Sequence, residues 1–285
     1  MAELSAVTAI ALSVLMHVIW NTMARQLPSE AWPIWWVLLG HLVLLGPWGV
    51  YHLITEVRWD LNFIALLITS ALANAMYFVS LKFAYDRAPV ALVYPLARSS
   101  PIVIALFSMV IMQEQLGLLS WIGIVIGVLG LLVLTRMQQQ SSDRLAIPWA
   151  ILAMLGTSIY SLSDKAATDF LPSFASIVGF ISVGYLASFI TMTCMHRVTK
   201  RRWWPAKGIR ISAFIIGGLC VGLAYALVVH AMRWLPSAEV VSYTNAGIVM
   251  ATLISIFIFK ERSFWKARLT GALTICLGLF VMSLN

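Results

Sequence analysis

The sequence of 285 residues predicts an all-α polytopic membrane protein, with ten transmembrane helices arranged as two inverted five-helix repeats. Three observations point there. Hydrophobic residues make up 61% and charged residues only 11%, with a mean hydropathy of +0.91; that leaves too little polar surface to coat a water-soluble domain of this length. Apolar runs of about 20 residues, the length needed to cross a hydrocarbon core, recur along the whole chain. Sliding the chain by 147 positions places Ala84, Pro89, Ala91, Val93, Leu106, Ser108, Ile111 and Glu114 on Ala231, Pro236, Ala238, Val240, Leu253, Ser255, Ile258 and Glu261, the mark of an internal repeat. A repeat of five spans is odd-numbered, so its second copy enters the membrane upside down relative to the first.

The runs lie near 4–25, 31–54, 61–84, 89–112, 117–136, 146–164, 173–195, 209–232, 236–259 and 265–284. They form a single transmembrane domain, 1–285, with repeat halves 1–137 and 146–285 joined by a linker at 138–145. The first run contains His17 and Asn21 and lacks a basic leader and a cleavage site, so it reads as a retained helix rather than a signal peptide. Trp32, Trp35, Trp36, Trp48 and Trp59 flank or cap the second run and read as an interfacial aromatic belt. The fourth run organises the rest. Arg98 stands at its middle between Pro95 and Pro101. A guanidinium at that depth needs water, a partner or a ligand, and prolines open a membrane helix where the freed carbonyls can be satisfied again.

Glu114 and Glu261 each precede a helix and read as turn carboxylates near exposed N-terminal amides. Gly123, Gly127 and Gly130, with Gly271 and Gly278 in the second half, suit close helix packing, a dimer contact being the alternative. The expected state is accordingly a monomer or weak homodimer. The stretch 196–210, HRVTKRRWWPAKGIR, sets Trp203 and Trp204 among arginines and lysines and reads as an interfacial anchor on an anionic leaflet.

Charge sets the topology. Fourteen of the 19 Lys and Arg residues follow odd-numbered spans, whereas Arg58, Lys165 and Arg233 alone follow even-numbered ones; the positive-inside rule then puts both termini outside. The net charge of +8 is thereby assigned to topology and lipid headgroups, and nucleic acid is not an expected partner. Cys194, Cys220 and Cys276 fall in separate apolar runs without CxxC spacing, so they form neither a disulfide framework nor a metal site. There is no GxxxxGK[ST], HExxH or nucleophile elbow. The expected protein is not an enzyme and carries no cofactor or metal.

An HVIWN run in the first helix (17–21), an LKFAYDRAPVALVYPLARSSP run across the third and fourth, and a glutamate followed by a glycine-rich helix resemble the EamA family of the drug/metabolite transporter superfamily. FKERSFWKARLTGALTICLG in the second half matches the same pattern. The resemblance covers essentially the whole chain. It implies a basket of helices around a central cavity, lined by helices one, three, four, six, eight and nine, in a family that includes exporters of amino acids and related metabolites; more distant relatives carry nucleotide sugars, sugar phosphates or choline. The small multidrug relatives have a glutamate in their first helix, where this chain has His17 and Asn21.

On those helices the polar residues cluster: His17, Trp20 and Asn21 on the first; Asn74 and Tyr77 on the third; Tyr94, Arg98, Pro101 and Ser108 on one face of the fourth. Tyr160, Ser163 and Asp164 mark the sixth, Tyr225 and His230 the eighth, and Glu239, Ser242, Asn245 and Thr252 the ninth. For a single Ser, Thr or Asn an interhelical hydrogen bond is the competing reading. The substrate-binding candidates are Arg98, Tyr94, His17, Trp20, Asn21, Asn74, Tyr77, Tyr225 and Asn245; His17, Asp164 and Glu239 are candidates for proton coupling. At about 1.5 Å per residue, Glu239 and Asp164 lie about 10 Å or more further out than Arg98, so a standing ion pair with either is not the first expectation. The expected function is a plasma-membrane secondary transporter (the bacterial inner membrane in a prokaryote) that exports small amino-acid-like or other carboxylate or phosphonate metabolites by alternating access. A quaternary-amine carrier of the choline type and a non-transporting membrane sensor are the alternatives.

Overall fold

In a computed structural model, which describes residues 5–24, 27–28, 31–88, 90–136, 141–260 and 264–284, the apolar runs are helical and no strand occurs among the described residues. Arg25, Pro89, Glu261, Arg262 and the first residues of the expected linker lie outside them. In chain order the helices are α1 (Ala6–Ala24), α2 (Pro33–Leu44), α3 (Gly46–Glu56), α4 (Leu61–Tyr85), α5 (Val90–Ala97), α6 (Ser100–Phe107) and α7 (Leu118–Arg136). They continue with α8 (Ile147–Ala167), α9 (Phe174–Lys200), α10 (Ile211–Ala231), α11 (Ser237–Thr244), α12 (Ala246–Leu253) and α13 (Trp265–Met282). Among the described residues, eight spans are long and apolar enough to cross a membrane. The count is nine if α2 and α3, bent by 55° across Leu45, form one span, and the apolar part of α7, Leu118–Leu134, is shorter. The expectation of ten full spans is therefore met only in part. Pro47, at the second position of α3, cannot donate a backbone hydrogen bond to the preceding turn, which accounts for the bend.

Contacts divide the chain into two compact units, Met1–Val79 with Ser163–Arg233, and Ser80–Leu162 with Trp234–Asn285. Each unit combines chain from before and after the linker, so neither coincides with a sequence half.

In the first unit α3 packs on α9, and α1 and α2 pack on α10. Glycines let these backbones meet. A Cβ built on Gly49 would lie 2.6 Å from the Gly179 nitrogen, and one on Gly40 2.7 Å from the Phe214 carbonyl oxygen. Around these crossings Leu38, Leu53, Phe63, Leu171, Ile177 and Phe180 are almost wholly buried. The belt expected of the tryptophans is corrected for two of them. Trp32 and Trp35 are buried, Trp32 edge-on to His196 at 4.5 Å and Trp35 donating Nε1–H to Thr193 Oγ1 at 2.8 Å, whereas Trp48 and Trp59 are exposed. His41 joins α2 to α9. Ser182 spends its hydroxyl hydrogen on the Val178 carbonyl, so His41 Nε2–H is the donor in the 2.9 Å bond to Ser182 Oγ. The imidazole fills the space beside Gly222 that a Cβ would need.

In the second unit α7 lies along α13, α5 and α6 contact α7, α6 also meets α11, and α12 meets α13. Four of the five glycines expected to support close packing do so within the chain: a Cβ on Gly123 would fall 2.5 Å from the Gly278 carbonyl oxygen, and one on Gly130 2.9 Å from that of Gly271, whereas one on Gly127 would meet nothing within 4 Å. Leu131, Ile248, Ala272 and Ile275 form the core beside them.

The repeat reappears in irregular backbone. One span breaks between α5 and α6 at Arg98 and Ser99, the other between α11 and α12 at Asn245; Arg98 and Asn245 are 147 positions apart, the shift that aligns the halves. Each broken span ends in a π-helical turn, Ser108–Met112 and Ile254–Ile258, followed by a left-handed residue, Gln113 (φ 57°) and Lys260 (φ 55°), at the same separation. Left-handed backbone is costly for residues with a Cβ, so its occurrence at matched positions marks a shared architecture rather than chance.

Candidate functional site

Pro101 has no N–H, so the carbonyl of Ala97 loses its helical donor and the ladder of the fourth span opens there. Around the opening Arg98 N–H still reaches the Tyr94 carbonyl at 2.9 Å, while Ser99 N–H turns to Leu96 at 3.2 Å. The ninth-span break has no proline. Its chain tightens instead, with Asn245 N–H on the Ser242 carbonyl and Ile248 N–H on the Asn245 carbonyl, both at 2.9 Å.

These two breaks meet inside the second unit. Arg98 Nη2 donates to Thr244 Oγ1 at 2.8 Å, and the Thr244 hydroxyl passes its own hydrogen to the Val241 carbonyl at 2.6 Å. Asn245 Nδ2 faces the Arg98 carbonyl at 3.5 Å. The guanidinium lies 5.8 Å from the centroid of the Tyr94 ring, within cation–π range. The carboxamide oxygen of Asn245 is buried and, among the described residues, has no hydrogen-bond partner; Asn245 and Ser242 line a small crevice floored by Gly123 and Gly127 and edged by Pro101. Three sequence candidates, Tyr94, Arg98 and Asn245, are thus brought together. Glu239 lies on the same α11 but has its own partner, accepting from Ser120 Oγ at 2.6 Å.

The other candidates belong to the first unit. Asp164, 1% exposed, accepts from Ser70 Oγ on α4 and from Tyr225 Oη on α10, each at 2.5 Å. Beside it, Lys165 donates to the Met232 carbonyl and Arg233 to that of Leu171, which closes two helix ends. Asn74 is buried against Gly184, its Oδ1 3.4 Å from Ser188 Oγ, whose hydrogen goes to the Gly184 carbonyl at 2.9 Å, so it makes an interhelical packing contact. Trp20 packs over Gly217 of α10, and Tyr77 lies beside Phe78 with ring centroids 5.0 Å apart. His17 and Asn21 are half-buried on α1. Among the described residues, no ion pair joins Asp164 or Glu239 to a basic side chain, and no three His, Cys, Asp or Glu residues gather as a metal site.

Thr244, Ser120 and Ser70 were not singled out from sequence. Ser70 shares a face with Asn74 one turn on, and Thr244 precedes Asn245, but hydroxyls are common in apolar helices and neither position is distinctive without its partner.

An all-helical chain of apolar spans, built on a repeated pair of broken helices, is a multi-pass membrane protein of two-repeat architecture. The EamA-like transporter family model matches it twice, over residues 4–136 and 144–284. The chain belongs to that family, whose members are membrane transporters of small solutes. One solved structure, described only as the crystal structure of a protein, covers 98% of this chain and 97% of its own at 18% identity and a TM-score of 0.78. That likeness establishes the fold alone. The comparison with curated proteins gave no match.

Proposed function

We propose that this chain is a plasma-membrane secondary carrier that exports small amino-acid-like or other carboxylate or phosphonate metabolites, with Arg98 receiving the anionic group. The observation that carries the reading is the position of Arg98. Its guanidinium stands at a helix break in an apolar span, oriented by a hydroxyl at 2.8 Å. The planar fork of a guanidinium matches a carboxylate or phosphonate bidentately. Asn245, with its unsatisfied carboxamide oxygen, supplies an acceptor for a donor on the same solute, and Tyr94 supplies an aromatic face. His17, Trp20, Asn21, Asn74, Tyr77 and Tyr225 belong to the first unit and are proposed there as further solute contacts. Both breaks sit where hydrogen-bond ladders are already interrupted, so the span can bend there without losing further backbone bonds. Asp164 and Glu239, buried carboxylates held by hydroxyls, are the proposed proton-coupling groups together with His17.

Proteoliposomes loaded with labelled solutes test this, with efflux followed with and without a pH gradient. Wild-type protein exports an anionic or zwitterionic solute; Arg98→Lys, which keeps the charge and loses the fork, exports it more slowly; Arg98→Met does not export it. Equal efflux by Arg98→Met removes the reading. Efflux of quaternary amines alone favours the choline-type alternative, with the cation against aromatic rings, and specific binding without efflux favours a sensor.

A further inference from the structure

The α9–α10 connection is not used by the proposed transport site, yet it carries a dense run of exposed cations. Between positions 196 and 210 there are six cations, Arg197, Lys200, Arg201, Arg202, Lys207 and Arg210, and no acidic residue; all six are exposed. Arg197 and Lys200 lie in the last turn of α9, where cations complement the helix dipole. That accounts for two and leaves four. Such a block of like charge repels itself unless an anion lies over it.

The loop is held in place. Arg201 adopts left-handed backbone (φ 55°) and turns the chain off the helix. The Arg202 carbonyl accepts from His196 Nδ1 at 2.7 Å, which assigns the proton to that nitrogen, and the Lys207 carbonyl accepts from Trp36 Nε1 at 3.2 Å. His196 is itself buried against Trp32, and Pro205 is buried within the loop. The cations therefore project from a braced backbone, and little ordering remains to be done on binding. Beside them Trp203 and Trp204 are 55% and 66% exposed, the former 5.6 Å from the Arg197 guanidinium. Exposed indoles next to guanidinium and ammonium groups, on a connection between the spans Phe174–Lys200 and Ile211–Ala231, suit the headgroup layer, where an amphipathic ring has one apolar and one wet side.

We propose that the 197–210 connection is a binding site for anionic phospholipid headgroups, the lysines and arginines taking the phosphates and Trp203 and Trp204 entering the interface beside them. Because the loop is tied to Trp36 of α2 and His196 of α9, bound lipid also strengthens the α2–α9 contact.

The full chain in neutral detergent is titrated with phosphatidylglycerol or phosphatidylcholine, with retained lipid read by native mass spectrometry and thermal stability read alongside. Phosphatidylglycerol is retained in preference to phosphatidylcholine and raises the melting temperature. Each exposed cation removed weakens retention about fivefold, so the triple variant Arg201→Gln, Arg202→Gln, Lys207→Gln loses it by about a hundredfold, while Arg58→Gln, an exposed cation elsewhere, leaves it unchanged. Trp203→Ala with Trp204→Ala, which keeps every charge, lowers retention as well. Inorganic phosphate at matched concentration neither displaces the lipid nor raises the melting temperature. Wild-type retention by a folded triple variant overturns the proposal, as does equal retention of the two lipids or full competition by phosphate.

Discussion

Substituting alanine for glycine should destabilise the protein at Gly179 and not at Gly127, although both lie on apolar helices. A Cβ on Gly179 would stand 2.1 Å from the Gly49 carbonyl oxygen and 2.6 Å from its carbon. The obstruction is backbone, so no side chain can swing aside, and α3 must move off α9 by roughly 1 Å before ordinary contact is restored. A gap of 0.5–1 Å forfeits about a quarter to a half of each dispersion contact along the seam, and overpacking of this kind costs about 1–3 kcal/mol. At about 2–4 °C per kcal/mol for a larger domain, Gly179→Ala should melt roughly 2–12 °C below wild type. The Cβ of Gly127 would meet nothing within 4 Å, so Gly127→Ala should be neutral or gain up to about 1 kcal/mol from helix propensity. Thermal unfolding of the purified proteins in one detergent, followed by cysteine-independent light scattering, measures both. A Gly179→Ala protein that melts with wild type, or a Gly127→Ala protein that melts below it, would refute the packing described for these helices.

Thr244→Val keeps the shape of the site and removes the 2.8 Å bond to Arg98; from the range of such bonds in membranes, about 0.6–1.7 kcal/mol, efflux should fall about threefold to eighteenfold with folding retained. Asp164→Asn preserves an oxygen for one of its two hydroxyl donors and should still fold, whereas Asp164→Ala leaves Ser70 and Tyr225 buried without it and should lower the melting temperature further; equal melting of the two would show that the triad holds nothing. Gln113→Gly relieves left-handed backbone at φ 57° and should stabilise the protein by about 1 kcal/mol, seen as a higher melting temperature. If the positive-inside rule governs this chain, as its loop charges predict, a reporter fused after Asn285 should behave as external; a cytoplasmic signal would reverse every inside and outside assignment and leave the repeat intact.

Class, repeat and one broken helix were legible in the sequence, because each depends on quantities local to a segment. Composition and span length report the solvent of a helix, the 147-position match reports duplication, and Pro95 with Pro101 around Arg98 reports an interrupted ladder wherever the helix is placed. The sequence could not show that Asn245 breaks its span without a proline, since Asn is tolerated in a continuous helix and the interruption depends on how α11 and α12 are packed. Nor could it assign partners. Ser70 meets Asp164 across 94 positions and Ser120 meets Glu239 across 119; periodicity tells which face a residue occupies, but which helix covers that face is decided by packing. The same holds for the tryptophans, read as a belt from their place at the ends of a span, until His196 and Thr193 of α9 are found to bury Trp32 and Trp35. Tertiary structure alone also divides the chain into units that cross its sequence halves, because burial follows which apolar faces fit together and not the order in which they are synthesised.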